Sequence, residues 1–207
     1  MPRTSSLDGL RPLLDGQLAV ASRGQLLAIG MNDRAMQYRL RPDGPWQALL
    51  PGIYLAVTGT PTFEQKEMAA LLYAGPESLV TGRAALTHHG IGSGLPPDVV
   101  DVLLPAERQR VDVNFVRLHR TARLPAAAVL AGPVRLAPPP RAVADTAWQL
   151  TSVDDVRAVV AAALGSGRCT LDELTAELNA GPIRGSAAFR SVLTDLAEEV
   201  SSPTAAR

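Results

Sequence analysis

Residues 22–57 constrain the fold of this chain more than any other stretch, because they read as two short helices followed by two short strands. The hydroxyl of Ser22 can cap the first helix by accepting a hydrogen bond from an unpaired backbone N–H. Gly30 can end that helix, since glycine adopts the left-handed conformation at little cost. Asn32 or Asp33 is then placed to cap the second helix.

The apolar residues of the two helices lie on one side of each. We expect Leu26, Leu27 and Ile29 to give the first helix its buried side, and Met36 and Leu40, four residues apart, to do so for the second. Polar and charged residues occupy the opposite face of the second helix: Asp33, Arg34, Gln37, Tyr38 and Arg41. This is the order of parts in a helix-turn-helix, whose second helix enters the major groove, so double-stranded DNA is the leading candidate partner.

The flanking sequence extends this motif to a winged helix-turn-helix domain at residues 1–58. Leucines at helical spacing predict a preceding helix over residues 9–20. A Pro-Asp-Gly-Pro turn stops the second helix, and two strands are predicted over residues 46–50 and 53–57, around Pro51-Gly52.

The middle of the chain, residues 59–149, reads as a small mixed α/β domain. Helices are predicted over residues 62–73 and 81–89, strands over residues 99–104, 111–118 and 132–136, and a further helix from Arg141. The charged segment AERQR separates the first two strands, which we expect to form a hairpin. The loop GIGSGLPP follows the second helix.

The last part, residues 150–207, reads as helical and ends in a frayed tail, SSPTAAR. Thr170 with Glu173 forms a T-x-x-E capping box at the start of one of its helices. The whole chain is therefore predicted to be α/β in the mixed, α+β sense.

The composition indicates where on the chain DNA could bind and in which compartment the protein works. The formal net charge is zero, so any affinity for DNA must come from a local patch, and residues 1–60 carry six Arg against four Asp. A single cysteine, Cys169, cannot form an internal disulfide and fits a reducing compartment. No apolar run reaches the roughly 18 residues of a membrane span, and the N-terminus lacks a secretory signal. We therefore expect a cytoplasmic protein.

Several segments in order carry a resemblance to a known family. They are GMNDRAMQYRL with PWQALLPGIYLAV, residues 61–73, LVTGRAALTHHGI, LPPDVVDVLLP, VRLHR and PVRLAPPPRAVADTAWQL. They resemble the AbiEi-type antitoxins, the transcriptional-repressor half of type IV toxin–antitoxin pairs, over roughly residues 15–195. Arg141 and Asp145 match the Arg and Asp of the family pattern T-P-x-R-T-hydrophobic-D, whereas Ala137 stands where Thr is common.

The resemblance implies a repressor of its own operon and a nucleotidyltransferase-like toxin as a second partner. Many relatives continue into a restriction-endonuclease-like domain, whereas this sequence ends near the point where that domain would begin. The chain thus resembles an actinobacterial-style member that lacks the C-terminal endonuclease-like domain. Two protomers would read inverted half-sites, as a weak dimer or as monomers that bind cooperatively.

The candidate DNA-binding residues supply hydrogen-bond donors that reach bases and phosphates. Forked and amide donors suit guanine and adenine edges, a phenol can contact a phosphate or a thymine methyl group, and the first turn of a helix can bind phosphate. The candidates are Arg23, Asn32, Arg34, Gln37, Tyr38, Arg41 and, towards the minor groove, Gln47. Alternatively, these residues form an ordinary solvated face of a winged domain that contacts protein.

A second basic segment could contact DNA or a toxin, or it could form a solvated face without a partner. It comprises Arg108, Arg110, Arg117, His119, Arg120 and Arg123. The adjacent His88 and His89 point about 100° apart on a helix and are expected to be structural, not metal ligands. Cys169 has no C-x-x-C partner. We expect no metal, cofactor or catalytic residue.

Two rival functions stay open. The first is a stand-alone transcription factor without a toxin. The second is the non-catalytic front part of a nuclease-like protein. The triplet Glu64-Gln65-Lys66 spells the E-x-K of metal-dependent nucleases, but it falls in a predicted helix, whereas that chemistry needs both residues on a strand. A protein-interaction module is a third, weaker reading.

Overall fold

A computed structural model describes residues 8–92 and 97–201 of the chain. The chain is a mixed α/β protein that divides into two compact units. The first comprises Met1–Val80, Asp98–Leu124 and Leu130–Arg135, and the second Thr81–Pro97, Pro125–Val129 and Leu136–Arg207. These units interleave along the sequence, and the consecutive boundaries expected at residues 58 and 149 stay predictions. Among the described residues, no helix has the length and apolarity needed to cross a membrane.

The first unit begins with a winged helix-turn-helix. Its elements are α1 (Leu10–Asp15), β1 (Val20–Ser22), α2 (Arg23–Ala28), α3 (Asp33–Leu40), β2 (Gln47–Leu50) and β3 (Ile53–Leu55). The three strands form an antiparallel sheet in the order β1-β3-β2. The wing therefore belongs to a three-stranded sheet, whereas only its two last strands were predicted.

The helix predicted over residues 9–20 is wrong in its second half. α1 ends at Asp15, and Leu18 and Ala19 have positive φ angles of 54° and 64°. The chain then enters β1, where Val20 pairs with Leu55. The leucine spacing indicated a longer helix, but pairing with β3, more than thirty residues away, decides the conformation of this segment.

The two helices of the motif begin as their sequences predict. The Ser22 hydroxyl accepts from the Gln25 N–H at 3.2 Å, and the Gln25 side chain accepts from the Ser22 N–H at 2.9 Å, which is a capping box. Asn32, not Asp33, caps α3: its Oδ1 accepts from the Ala35 N–H at 2.8 Å. Gly30 follows α2 with φ of +85°, as expected for a residue that ends a helix.

The core of the winged part is formed by its helices and Trp46. Leu26, Met36 and Trp46 are buried, and the partly buried leucines of α1 pack on them. Leu27 is 40% exposed, so its prediction as a core residue is wrong. In the short helix α2, Leu26 already occupies the inward position, and its neighbour in sequence points about 100° away.

The rest of the first unit contains one helix, which packs on the wing, and most of a second sheet. In chain order the next elements are α4 (Phe63–Ala74), β4 (Leu79–Thr81), α5 (Gly82–His88), which belongs to the second unit, β5 (Val100–Pro105), β6 (Val116–Thr121), β7 (Val129–Ala131) and β8 (Val134–Leu136). α4 packs on all three wing strands and on β5. The strand order of the five-stranded sheet is β6-β5-β4-β8-β7. β4 and β7 were not predicted.

The hairpin expected from β5 and β6 is wrong, because these two strands run parallel. Val100 pairs with Val116 and Pro105 with Thr121, so residues 106–115 cross back to the starting end of β5. The strand begins at Val116, not at residue 111, because residues before it belong to this crossing segment. The Asp112 carboxylate accepts from the Leu118 N–H at 2.8 Å, so the segment also covers part of the outer edge of β6.

Within the described residues the second unit contains α5 and four further helices, the last three of which are those that the helical pattern of residues 150–207 predicts. The four are α6 (Pro139–Gln149), α7 (Val153–Gly165), α8 (Leu171–Ala180) and α9 (Ala187–Ser201). Thr170 and Glu173 form the predicted capping box of α8. Residues 202–207 of the predicted tail and residues 93–96 of the predicted loop lie outside the described residues.

A buried ion pair within α6 accepts a hydrogen bond from Thr81, the N-cap residue of α5. Arg141 Nε donates to Asp145 Oδ1 at 2.9 Å, and the Thr81 hydroxyl donates to Asp145 Oδ2 at 2.6 Å. The Arg141 and Asp145 side chains are only 5% and 8% exposed. Arg141 and Asp145, one helical turn apart on α6, therefore contact each other in the interior of this unit.

Candidate nucleic-acid interface

α3 is held on the winged core by its apolar side and by the turn that follows it. Met36 is 2% exposed, and the Trp46 N–H donates to the Arg39 carbonyl at 3.1 Å, which closes the turn after the helix. Gly44 in this turn lies against the end of α3: a Cβ placed there would be 2.1 Å from the Arg39 carbonyl oxygen. The helix therefore ends in a tight, fixed turn that only glycine fits.

The opposite side of α3 is exposed, as its sequence predicts. Arg34, Gln37, Tyr38 and Arg41 are all exposed, and Tyr38 has 60% of its surface accessible. Spacings of three, four and seven residues bring these side chains onto one face of the helix. The structure thus places four of the sequence-predicted candidates together.

Tyr38 and Arg41 are in contact within this face. The Arg41 guanidinium carbon lies 4.0 Å from the centre of the Tyr38 ring, which is a cation–π contact. Arg41 itself is the C-cap of α3 and has an extended backbone. The aromatic ring therefore orients the guanidinium before any partner is present, which reduces the entropy cost of using it.

The neighbouring Arg39 has a different role. It is half-buried, its Nη1 donates to the Ala35 carbonyl at 3.0 Å, and its guanidinium lies 5.5 Å from the centre of the Trp46 ring. Arg39 therefore links α3 to Trp46, the residue before β2, and is not one of the exposed arginines on the outer face.

Arg23, the expected phosphate contact, is engaged with Asp33. Arg23 Nε and Nη2 donate to the two carboxylate oxygens of Asp33 at 3.1 and 2.8 Å, and the side chains are about half exposed, 49% and 56%. The hydrogen bond to Asp33 and its charge raise the pKa of Arg23 above its ordinary value. Asp33 was not among the predicted site residues, although both residues occupy the first position of their helices.

Asn32 and Gln47 have structural partners. The Asn32 side-chain oxygen is used in capping α3. Gln47 Nε2 donates to the carbonyls of Val57 and Gly59 at 3.1 and 2.8 Å, so it fastens the chain that leaves the wing. We therefore do not include the Gln47 amide in the face that could read bases.

The second basic segment mainly stabilises its own fold. The Arg120 guanidinium donates to the backbone carbonyls of Arg108 and Arg110, and Arg110 lies 5.3 Å from the centre of the Tyr73 ring. His119 Nε2 contacts the largely buried Asp101 at 2.6 Å. These contacts brace the crossing segment between the parallel strands, while Arg117 is exposed.

Other groups singled out in the sequence belong to the second unit and have structural surroundings. His89 is buried and its Nε2 lies 2.8 Å from the Ala137 carbonyl; burial lowers the pKa of this imidazole, and the charges of His88 and Arg168 add to the effect. Burial raises the pKa of the Cys169 thiol, which disfavours the reactive thiolate.

The E-x-K triplet lies on a helix, and metal-ligating side chains do not cluster in the described part of the chain. Residues 64–66 lie in α4, in agreement with the predicted helix, and Gln65 belongs to the capping box at its start. Within residues 8–92 and 97–201, no group of three or more His, Cys, Asp or Glu side chains is arranged to hold a metal ion.

The similarity of the chain to known proteins lies in its fold. No model of a known protein family matches it, and no curated protein does so either. Among solved structures it is similar to the crystal structure of the RV2827C protein from Mycobacterium tuberculosis, with a TM-score of 0.60. The match covers 92% of this chain and 76% of that one at 13% sequence identity. The two proteins therefore share a fold.

Proposed function

We propose that this chain is a sequence-specific DNA-binding transcriptional regulator that uses α3 as its recognition helix. One observation carries the proposal: the exposed face of α3 presents Arg34, Gln37 and the Tyr38–Arg41 pair from a helix that is capped, packed and closed by a tight turn. Side chains on a rigid helix can meet base edges with little loss of conformational entropy.

The chemistry of this face suits the major groove. An arginine fork can donate to O6 and N7 of guanine, and a glutamine amide can pair with N6 and N7 of adenine. Arg34, Gln37 and Arg41 supply these groups, and the Tyr38 hydroxyl can donate to a phosphate. Two protomers on inverted half-sites would double the number of bases read.

Repression of its own operon and neutralisation of a toxin are the finer form of the proposal, and the resemblance to AbiEi-type antitoxins supports them. In this form the protein works in the cytoplasm, needs no cofactor and performs no catalysis. Co-expression with the neighbouring open reading frame tests the toxin: rescue of growth by this chain supports an antitoxin, and a harmless neighbour favours a stand-alone regulator.

The first experiment is a fluorescence-anisotropy titration against the DNA upstream of its own reading frame and a scrambled duplex, at two salt concentrations. We expect tighter binding to the upstream fragment, and weaker binding to both duplexes at higher salt because phosphate contacts release counterions. Equal affinity for the two duplexes, or no binding to either, would contradict sequence-specific regulation through this DNA.

Single substitutions then test the face itself. Arg34→Ala or Arg41→Ala should each cost about 1–3 kcal/mol of affinity for the preferred duplex, if each makes a bidentate base contact. Arg11→Ala is the matched control, because it removes the same charge from a side chain of α1 that is 90% exposed. An equal loss in the control would mean that general charge, not α3, determines binding.

A further inference from the structure

Asp33 lies on the same face of α3 as the proposed reading residues. Positions 33, 37 and 41 are four residues apart, so Asp33, Gln37 and Arg41 form one row along the helix. Asp33 is the first residue of α3 and its side chain is 56% exposed. In a helix-turn-helix, the N-terminal residues of the recognition helix contact base edges, so Asp33 occupies a reading position.

Arg23 fixes the orientation of the Asp33 carboxylate. Two hydrogen bonds of 3.1 and 2.8 Å join the guanidinium to both carboxylate oxygens. A bidentate pair of this kind specifies a direction as well as a distance, unlike a contact between point charges. Each carboxylate oxygen has further lone pairs with which to accept a hydrogen bond from another donor.

The backbone of Arg23 is itself anchored. Its N–H donates to the Gly52 carbonyl at 2.7 Å, which ties the first residue of α2 to the turn between β2 and β3. The capping box of Ser22 and Gln25 holds the same turn of α2. The guanidinium therefore extends from a fixed point of the wing sheet to the start of α3.

A carboxylate that faces DNA has one favourable base contact and one general cost. It accepts from the amino group N4 of cytosine in the major groove, but its charge is repelled by the phosphates. Arg23 cancels that charge at hydrogen-bond distance, so the pair as a whole carries no net charge towards the duplex. The repulsion between the carboxylate and the phosphates is thereby removed, while the contact with cytosine stays available.

From this geometry, and on the basis of the proposed DNA-binding function, we propose that Asp33 reads the amino group of a cytosine in the half-site. Arg23 is its positioning residue, which orients the carboxylate and neutralises it. On duplexes without the cytosine the Arg23–Asp33 pair makes no base contact and adds little to affinity. Asp33 thereby contributes discrimination between bases without adding to general attraction.

Selection from a pool of random duplexes tests this proposal without knowledge of the operator. The parent protein should select a motif that includes a cytosine, and Asp33→Ala should select the same motif with that one position degenerate. The cap Asn32 is unchanged, so α3 should still form, and circular dichroism checks this. Asp33→Asn provides a second variant: an asparagine amide pairs with adenine, so the preferred base should change from cytosine to adenine.

Anisotropy titrations on the selected duplex give the size of the effect. The affinity of the parent for the selected duplex should be roughly 5- to 150-fold higher than for a duplex in which the cytosine is replaced by another base. Asp33→Ala should bind the two duplexes with equal affinity. Asp33→Ala also frees Arg23, so the slope of log affinity against log salt should steepen by about 0.9, one further phosphate contact. Arg23→Ala in addition should restore the slope of the parent.

Asp43→Ala is the control, because Asp43 is an exposed carboxylate in the turn after α3. It should leave the selected motif unchanged. If Asp33→Ala selects the same motif with the same discrimination as the parent, the reading role of Asp33 is wrong although the regulator proposal stands. If the parent selects no motif at all, sequence-specific binding itself is wrong, and the role of Asp33 is overturned with it.

Discussion

Gly44→Ala should destabilise the protein through the turn that ends α3. The added Cβ would lie 2.1 Å from the Arg39 carbonyl oxygen, 2.7 Å from the Arg39 carbonyl carbon and 3.0 Å from the Arg41 carbonyl oxygen. A carbon normally approaches a carbonyl oxygen to about 3.3 Å, so the backbone would have to move by about 1 Å. The clashing atoms belong to the backbone and cannot rotate away as a side chain would.

The magnitude follows from this forced displacement. Overpacking of a well-packed site typically costs about 1–3 kcal/mol. For a chain of this size each kcal/mol lowers the melting temperature by about 2–4 °C, so we expect a decrease of about 2–12 °C. The movement also shifts the end of α3 and Arg41, so affinity for the preferred duplex should fall in parallel.

Thermal unfolding followed by circular dichroism measures the first effect, and anisotropy titration below the transition measures the second. Gly165→Ala is the control, since it also exchanges glycine for alanine, in the last turn of α7, and apart from the adjacent helix backbone no described atom lies within 4 Å of its added Cβ. The control should be neutral or stabilising by up to about 1 kcal/mol. A melting temperature for Gly44→Ala within about 1 °C of the parent would refute the steric reasoning.

Three further substitutions test other parts of the structure. Asn32→Ala removes the cap of α3 and should cost about 0.5–2 kcal/mol in urea unfolding, most of which Asn32→Ser should restore. Asp145→Ala should cost about 3–5 kcal/mol, because it leaves the charge of Arg141 buried without this partner; a cost below about 1 kcal/mol would contradict this account. The pKa of His89 in the folded protein lies below the ordinary 6.5, so below that pH the unfolded chain binds more protons and the free energy of unfolding falls as pH decreases. His89→Gln should lose this pH dependence of the free energy of unfolding, which is at most about 1.4 kcal/mol per pH unit. Urea unfolding above and below pH 6.5 measures it, and an equal difference between the two pH values in His89→Gln and in the parent would exclude this role of His89.

The caps of several helices and the exposed face of α3 could be predicted from the sequence. A cap depends on a residue and its neighbours three positions along the chain, as in Ser22 with Gln25 and Thr170 with Glu173. The exposed face of α3 follows from the spacing of Met36 and Leu40. Such features involve hydrogen bonds and packing within a few residues, so the sequence contains the information directly.

Pairings between distant residues could not be predicted in this way. β1 is three residues long and exists because it pairs with β3, and the parallel arrangement of β5 and β6 depends on the path of the segment between them. The spacing of apolar residues in the sequence was compatible with a longer helix in place of β1 and with a hairpin of β5 and β6. Strand pairing is a property of two segments, and neither segment alone specifies its partner.

The same division applies to the candidate interface. The residues that α3 exposes can be predicted from the sequence alone, because the helical period assigns each position to a face. The partners of the candidate side chains depend on contacts between distant residues: Arg23 pairs with Asp33 across ten positions, and Gln47 donates to the chain after the wing. Charged and amide side chains are long and can reach several partners, so the choice among partners depends on where folding places them in space.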